Sequence, residues 1–341
     1  MNIAINGFGR IGRLFFRQAF GRPGIKIIAI NDLGDIENLA YLLKYDTVYG
    51  TWDKEVKADT AKYELVIAGE RVAFVQEKEL AKLPWGKLGV DIALESTGAF
   101  ESFEKSRPHL EAGARRVVIT APAKDDEGED ARTILNGVNE DLFKTTLISS
   151  NGSCTTNSVS PVVSILSENP GIEKAMLSTT HGYTATQRVV DGPDAKDWRR
   201  GRAAAQNIVP STTGAAISVA RAIDAMKGKF DGIAMRVPVI AGSISDITFL
   251  ARRNVTADEI NSILREEAKS PRWKDILKIV DDPVVSSDIV GEPFGAIVDT
   301  TLTRVVAGNL VKVLSWYDNE WGYVHTLVRH VEKAGAALKH V

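Results

Sequence analysis

From its second residue the chain alternates short apolar runs with stretches whose apolar positions recur every three or four residues. NIAIN (2–6) and IKIIAIN (25–31) read as strands on either side of a helix over residues 10–20. Further strand-like runs are VDIALES (90–96), RVVIT (116–120) and TLISSN (146–151), and the stretch from Phe103 to Ala112 reads as a helix. The acidic KDDEGED (124–130) is a loop by composition. Alternation of this kind predicts a parallel, doubly wound α/β sheet of Rossmann type.

After residue 154 the pattern changes. SVSPVVSILSEN reads as a helix, and then come the longer strand candidates EKAMLSTTH (173–181), GIAMRVPVI (232–240), SISDITFLARR (243–253) and NLVKVLSWY (309–317). Long strands with few helices between them predict an α+β domain on a mostly antiparallel sheet. From Glu320 to Lys339 the helical period returns, with Trp321, Val324, Leu327, Val328 and Val331 on one stripe. This helix is expected to pack back on the first domain. The expected division is therefore 1–153 with 319–341 as one domain and 154–318 as the other.

Composition narrows the field. A length of 341 residues accommodates two domains, and a formal charge of −2 offers no broad basic surface to nucleic acid or anionic membrane. A single cysteine rules out an internal disulfide, and no HxxxH or CxxC spacing suggests a metal site. No run approaches the roughly 20 apolar residues of a membrane span. The expectation is a soluble cytoplasmic protein that acts on a small molecule.

The first strand runs into Gly7-Phe8-Gly9-Arg10-Ile11-Gly12, and Asp32 ends the next strand 20 residues after Gly12. Glycines in such a sequence mark ordinary tight turns too, but a preceding strand, a following helix and the spaced acid make this a dinucleotide-binding arrangement. The Asp32 carboxylate would accept hydrogen bonds from ribose hydroxyls and repel a 2′-phosphate, and Leu33 and Gly34 follow it in place of an arginine. NAD is favoured over NADP.

Cys154 lies in SNGSCTTNSVSP, at or just before the start of the helix. There unpaired N–H groups and the macrodipole favour an anion and are expected to lower the thiol's pKa. Of the five histidines, His109, His325, His330 and His340 sit in helices or the tail. His181 ends a strand and enters the polar loop HGYTATQ, which makes it the best candidate partner. A thiolate beside a dinucleotide site suggests addition to an aldehyde, hydride loss to NAD and a thioester that another nucleophile must release. Thr184, Arg199, Arg200, Arg202, STTG (211–214) and Arg236 point to phosphate as that nucleophile, although charge clusters are as often solvated or interfacial faces.

Together these segments resemble the phosphorylating glyceraldehyde-3-phosphate dehydrogenase family from end to end. The resemblance rests on NGFGRIGR (6–13), AINDL (29–33), SNGSCTTNS (150–158), HGYTATQ (181–187), VPSTTGAA (209–216), MRVPV (235–239) and SWYDNEWGY (315–323). It implies a homotetramer of two-domain chains that oxidises and phosphorylates glyceraldehyde 3-phosphate to 1,3-bisphosphoglycerate with NAD and inorganic phosphate. By motif, Cys154 would be the nucleophile and His181 the base. Gly7, Gly9, Arg10, Ile11, Gly12, Asp32, Lys78 and Thr120 match cofactor-binding positions. Asn319 matches the residue holding the nicotinamide amide, unless it is simply the N-cap of the last helix, and Tyr317 would back the ring. Thr184 and Arg236 match the pocket for the substrate's phosphate. Ser153, Thr155, Thr213 and Gly214 match the pocket for attacking phosphate, with Arg200 shared between the two. Residues 182–207 resemble the family's interfacial S-shaped loop. The family commonly has alanine where Gly152 stands, serine or alanine at Gly182 and a second cysteine at Ser158. Rival readings are erythrose-4-phosphate dehydrogenase, which releases its thioester with water, and a non-catalytic NAD-binding protein.

Overall fold

The computed structural model describes the backbone of residues 1–195 and 197–340, and the side chains of these except 339 and 340. Lys196 and Val341, which fall inside the expected domains, lie outside the described residues. The chain forms two compact units: residues 1–134 and 140–152 with the segment from Leu327 onward, and residues 135–139 with 153–326.

The first unit holds the strands β1 (Asn2–Asn6), β2 (Lys26–Asn31), β3 (Val56–Asp59), β4 (Glu64–Ile67), β5 (Glu70–Val75), β6 (Ile92–Glu95), β7 (Arg116–Ile119), β8 (Ala131–Thr133) and β9 (Ile148–Ser150). They form one sheet in the order β3-β4-β5-β2-β1-β6-β7-β9-β8. From β5 to β8 neighbouring strands run parallel, while β3, β4 and β5 are linked antiparallel. Ile3, Ala4 and Ile5 are all fully buried, because a central parallel strand is covered on both faces and so reads as a continuous apolar run. Helices α1 (Arg10–Ala19) and α2 (Ile36–Lys44) follow β1 and β2.

The second unit opens with α3 (Cys154–Glu168) and contains β10 (Ile172–Gly182), β11 (Val209–Thr212), β12 (Phe230–Val237), β13 (Ser243–Ala251), β14 (Leu277–Val280), β15 (Ala296–Val306) and β16 (Leu310–Tyr317). Their order is β11-β12-β10-β13-β16-β15-β14. Only the β10–β12 and β14–β15 pairs are parallel, so the sheet is mostly antiparallel. Val159, Val162 and Leu166 of α3 share a core with Val219 of α4 (Ala215–Ala222), with Ile260 and Leu264 of α5 (Ala257–Glu267), and with Leu177, Ile247, Phe249 and Val313 of the sheet. Helix α6 (Trp321–Ala336) carries the chain into the first unit, where Leu327, Val328 and Val331 are fully buried.

Two expectations need correction. Residues 103–112 are not one helix but two single turns, Phe103–Ser106 and Pro108–Glu111. Pro108, which has no N–H to give, opens the second turn at its first position. The second unit is also richer in helix than its strand pattern suggested, since α4 and α5 cover one face of its sheet. Among the described residues no helix is long and apolar enough to cross a membrane.

Candidate active site

In the first unit the chain leaves β1 through Gly7, whose φ of +92° suits glycine. A Cβ there would lie 2.6 Å from the Thr97 amide nitrogen, and one on Gly12 would lie 2.2 Å from the Gly7 carbonyl oxygen. Both glycines are fixed by close packing. Gly9 differs: nothing stands within 4 Å of the corresponding position, so its face is open to a ligand. Gly9 is also the N-cap of α1, and no side chain caps that helix or places an acid in its first turn. A helix N-terminus beside open space suits a phosphate group.

Beside it lies a cavity of about 390 Å³ lined by Gly7, Gly9, Asp32, Lys78, Ser96 and Thr97 among others. Asp32 is held by its Oδ2, which accepts from the Phe8 N–H at 2.6 Å, and its Oδ1, which accepts from the Gly34 N–H at 2.8 Å. An oriented carboxylate in the cavity fits ribose hydroxyls and opposes a 2′-phosphate, so the residues present suit NAD. Arg10 is ion-paired with Asp46, and its guanidinium lies 5.8 Å from the Tyr49 ring centre. Ile11 is half-buried on α1, and the Thr120 N–H donates to the Glu95 carbonyl at 3.0 Å. The cavity wall also includes Asn6, Asn31, Ser96 and Thr97, which the motif reading passed over. The available signal was a polar residue at or just past the C-terminal end of each apolar strand, where ligands of open parallel sheets bind.

In the second unit Cys154 is the first residue of α3. Ser153 is the N-cap, its Oγ accepting from the Thr156 N–H at 3.0 Å, while Thr156 Oγ1 accepts from the Ser153 N–H in return. This reciprocal capping box sets the entry angle of the chain and with it the thiol. Cys154 Sγ lies 3.3 Å from His181 Nε2. His181 ends β10, and the β10–β12 register places it beside Arg236. Its Nδ1 lies 2.6 Å from the Gly182 carbonyl oxygen, which can only accept, and beside the Arg236 guanidinium, which can only donate. Arg236 Nη1 donates to the same carbonyl at 3.1 Å and stands 2.7 Å from Nδ1.

Burial opposes the charged forms of both groups. Burial pushes the Cys154 thiol up from its ordinary value, although the Arg236 cation and hydrogen bonds from Thr155 pull it down. Burial, then the adjacent Arg236 charge, lowers His181 to about 3. Burial thus weighs against both charged forms, while the Arg236 cation favours the thiolate and disfavours the imidazolium. The helix N-terminus favours the anion as expected, but dehydration outweighs it.

The remaining candidates fall into place within this unit. Tyr317 is buried, its hydroxyl bridging Thr155 Oγ1 at 2.9 Å and Thr179 Oγ1 at 2.8 Å, and its ring meets His181 edge-on. What it backs here is the imidazole, and the Thr155 hydroxyl is turned inward to meet it. Asn319 Oδ1 accepts from the Gly242 N–H and from Ser243 Oγ, which leaves its amide N–H groups as the donor end. Asp318, rather than Asn319, accepts from the Glu320 and Trp321 N–H groups at the start of α6. Thr184 is positioned by Gln187, a residue missed in the sequence, whose Oε1 accepts from the Thr184 N–H. Arg200 donates twice to Ser211 Oγ, at 3.0 and 2.7 Å. Thr213 Oγ1 accepts from the Ala215 N–H, and Gly214 is the N-cap of α4 with no side-chain cap.

A glycine turn with an oriented acid in one unit, and a cysteine facing an imidazole in the other, suit a dinucleotide-dependent oxidoreductase. Comparison with known proteins makes this particular. Residues 1–103 match the NAD binding domain of glyceraldehyde 3-phosphate dehydrogenase, and residues 153–319 match its C-terminal domain. The chain is 46% identical over 333 residues to the glyceraldehyde-3-phosphate dehydrogenase of Streptomyces coelicolor, spanning 96% of each chain. It is 44% identical to that of Clostridium pasteurianum, over 97% of each, and 45% identical to that of Borreliella burgdorferi, over 98% of this chain and 99% of the relative. The chain belongs to the glyceraldehyde-3-phosphate dehydrogenase family, and its cofactor is NAD.

Proposed function

We propose that the chain converts D-glyceraldehyde 3-phosphate, NAD and inorganic phosphate into 1,3-bisphosphoglycerate through a thioester on Cys154. The observation that carries this reading is the 3.3 Å approach of Cys154 Sγ to His181 Nε2. As the sulfur adds to the aldehyde carbon, His181 Nε2 takes the thiol proton and returns it to the carbonyl oxygen, giving a hemithioacetal. His181 then draws the proton from that hydroxyl as the C–H bond breaks with its electron pair. When bound, NAD supplies the hydride acceptor. Phosphate oxygen attacks the resulting thioester, the C–S bond breaks, and the thiolate leaves.

Thr184 and Arg236 would hold the substrate's phosphate. The attacking phosphate would meet Ser153, the Thr155 backbone, Thr213, Gly214 and Arg200. Arg10, Ile11, Asp32, Lys78 and Thr120 would hold NAD, with the Asn319 amide on the nicotinamide. Assaying NADH formation with glyceraldehyde 3-phosphate and with erythrose 4-phosphate, each with and without inorganic phosphate, tests the assignment. Turnover is expected with the triose and only in the presence of phosphate. Phosphate-independent oxidation of the tetrose would move the chain to the rival enzyme, and no turnover with either would leave a binding protein.

The same reading makes the chain a cytoplasmic homotetramer. Met176 and Ile233 are 65% and 54% exposed on the sheet of the second unit, and Val189, Val190 and Trp198 are exposed in the loop that resembles the family's interfacial one. Apolar exposure of this kind suits an interface between copies. Light scattering is expected to give four chain masses, and Ile233→Asp a smaller, still folded species. A monomeric wild type would refute this part of the proposal.

A further inference from the structure

We propose that Trp85, His109 and Glu95 form a buried hydrogen-bond relay that positions Asn6 and Thr97 on the wall of the cofactor cavity, which makes His109 a positioning residue for NAD. The proposal rests on NAD being the ligand of that cavity. His109 and Trp85 are fully buried, and Glu95 is 2% exposed. Trp85 Nε1 lies 2.9 Å from His109 Nδ1. An indole nitrogen can only donate, so Nδ1 must accept and the ring proton must sit on Nε2. That nitrogen lies 3.0 Å from Glu95 Oε2 and donates to it.

The carboxylate collects three further donors. The Asn6 amide reaches Oε2, and the N–H and hydroxyl of Thr97 reach Oε1. None of the four is a cation, so the buried charge is stabilised by hydrogen bonds alone, and each of them holds its donor in place. Asn6 passes the order on. Its Oδ1 accepts from Asn31 Nδ2 at 2.6 Å, and Asn31 Oδ1 accepts from the Glu77 N–H at 2.8 Å. Asn6, Asn31, Glu77 and Thr97 all line the cavity. Four wall residues thus depend on one carboxylate whose orientation is fixed from behind by a histidine locked in a single tautomer.

Calorimetric titration of the full-length protein with NAD tests this. His109→Leu fills the volume but neither donates nor accepts, whereas His109→Gln can donate to Glu95 and accept from Trp85. His109→Leu is expected to weaken NAD binding about tenfold while kcat at saturating NAD stays within about twofold, and His109→Gln to recover most of the loss. A role in packing alone predicts the opposite order, with the apolar replacement the better tolerated. Equal losses in the two variants, or wild-type affinity in His109→Leu, would overturn the proposal. Should His109→Leu not fold, Trp85→Phe removes the indole donor together with some buried ring volume and is expected to weaken NAD in the same direction; unchanged affinity there overturns the proposal too. If the wild type itself binds no NAD, the cofactor reading falls and takes this inference with it.

Discussion

At the scale of single residues the proposed chemistry depends on a thiol and an imidazole in contact, whose charged forms burial opposes. Cys154→Ser is expected to abolish NADH formation while calorimetry still shows NAD binding, because the proposed NAD residues Gly7, Gly9 and Asp32 belong to the first unit. Retained activity would refute the covalent route. Arg236 is the cation that pulls the thiol down against its burial. Arg236→Leu should therefore move the pH profile of Cys154 alkylation by iodoacetamide toward higher pH, and an unmoved profile would show that the helix N-terminus alone sets the thiol. Cysteine, histidine and arginine were all legible in the sequence, since a lone thiol at a helix start and a strand-ending histidine are local signals. Their charge states were not. Those depend on how much water the folded site removes, which no spacing of residues reports. His109 was dismissed for the same reason, because its partners Trp85 and Glu95 lie 24 and 14 residues away and only folding brings them together.

At the scale of elements, long strands and helices with steady periods were readable, and short edge pieces were not. The parallel strands around β1 are apolar throughout because both faces are covered. The hairpins of β3, β4 and β5 hold only the short apolar runs LVIA (65–68) and VAFV (72–75), broken by Lys57, Glu64, Glu70 and Arg71 at exposed or half-exposed positions. Gly182 illustrates a constraint that belongs to the element rather than to the residue. Its backbone is ordinary, but a Cβ would lie 2.8 Å from the Val239 carbonyl oxygen, where the chain beyond β12 passes the end of β10. Gly182→Ala is therefore expected to cost about 1–3 kcal/mol, the usual range for overpacking. The Gly182 carbonyl also anchors His181 Nδ1, so kcat should fall with the stability. Urea unfolding and turnover measured on one preparation check this. Loss of stability with undiminished kcat would show that the base does not depend on that carbonyl.

At the scale of the whole molecule, each unit buries a histidine whose protonation burial disfavours. His181 in the second unit and His330 in the first are both lowered to about 3, and in both the largest cause is burial. His330 packs edge-on to Phe143 and shares a hydrogen bond with Ser149 Oγ at 2.7 Å. An unfolded histidine binds its proton near pH 6.5. Between about 6.5 and about 3 the unfolded chain therefore holds protons that the folded chain refuses. Stability is full above that window and falls as the pH drops through it, by up to about 1.4 kcal/mol per pH unit for each histidine. The steep loss should begin above the pH at which ordinary carboxylates titrate, so urea midpoints at pH 7.5 and 5.5 should already differ. His330→Gln keeps a partner for Ser149 Oγ and has no proton to bind in the unfolded chain. It is expected to flatten the pH dependence of the first unit while leaving dehydrogenase activity intact. Equal acid sensitivity in the wild type and in His330→Gln would show that this imidazole already takes up its proton in the folded state.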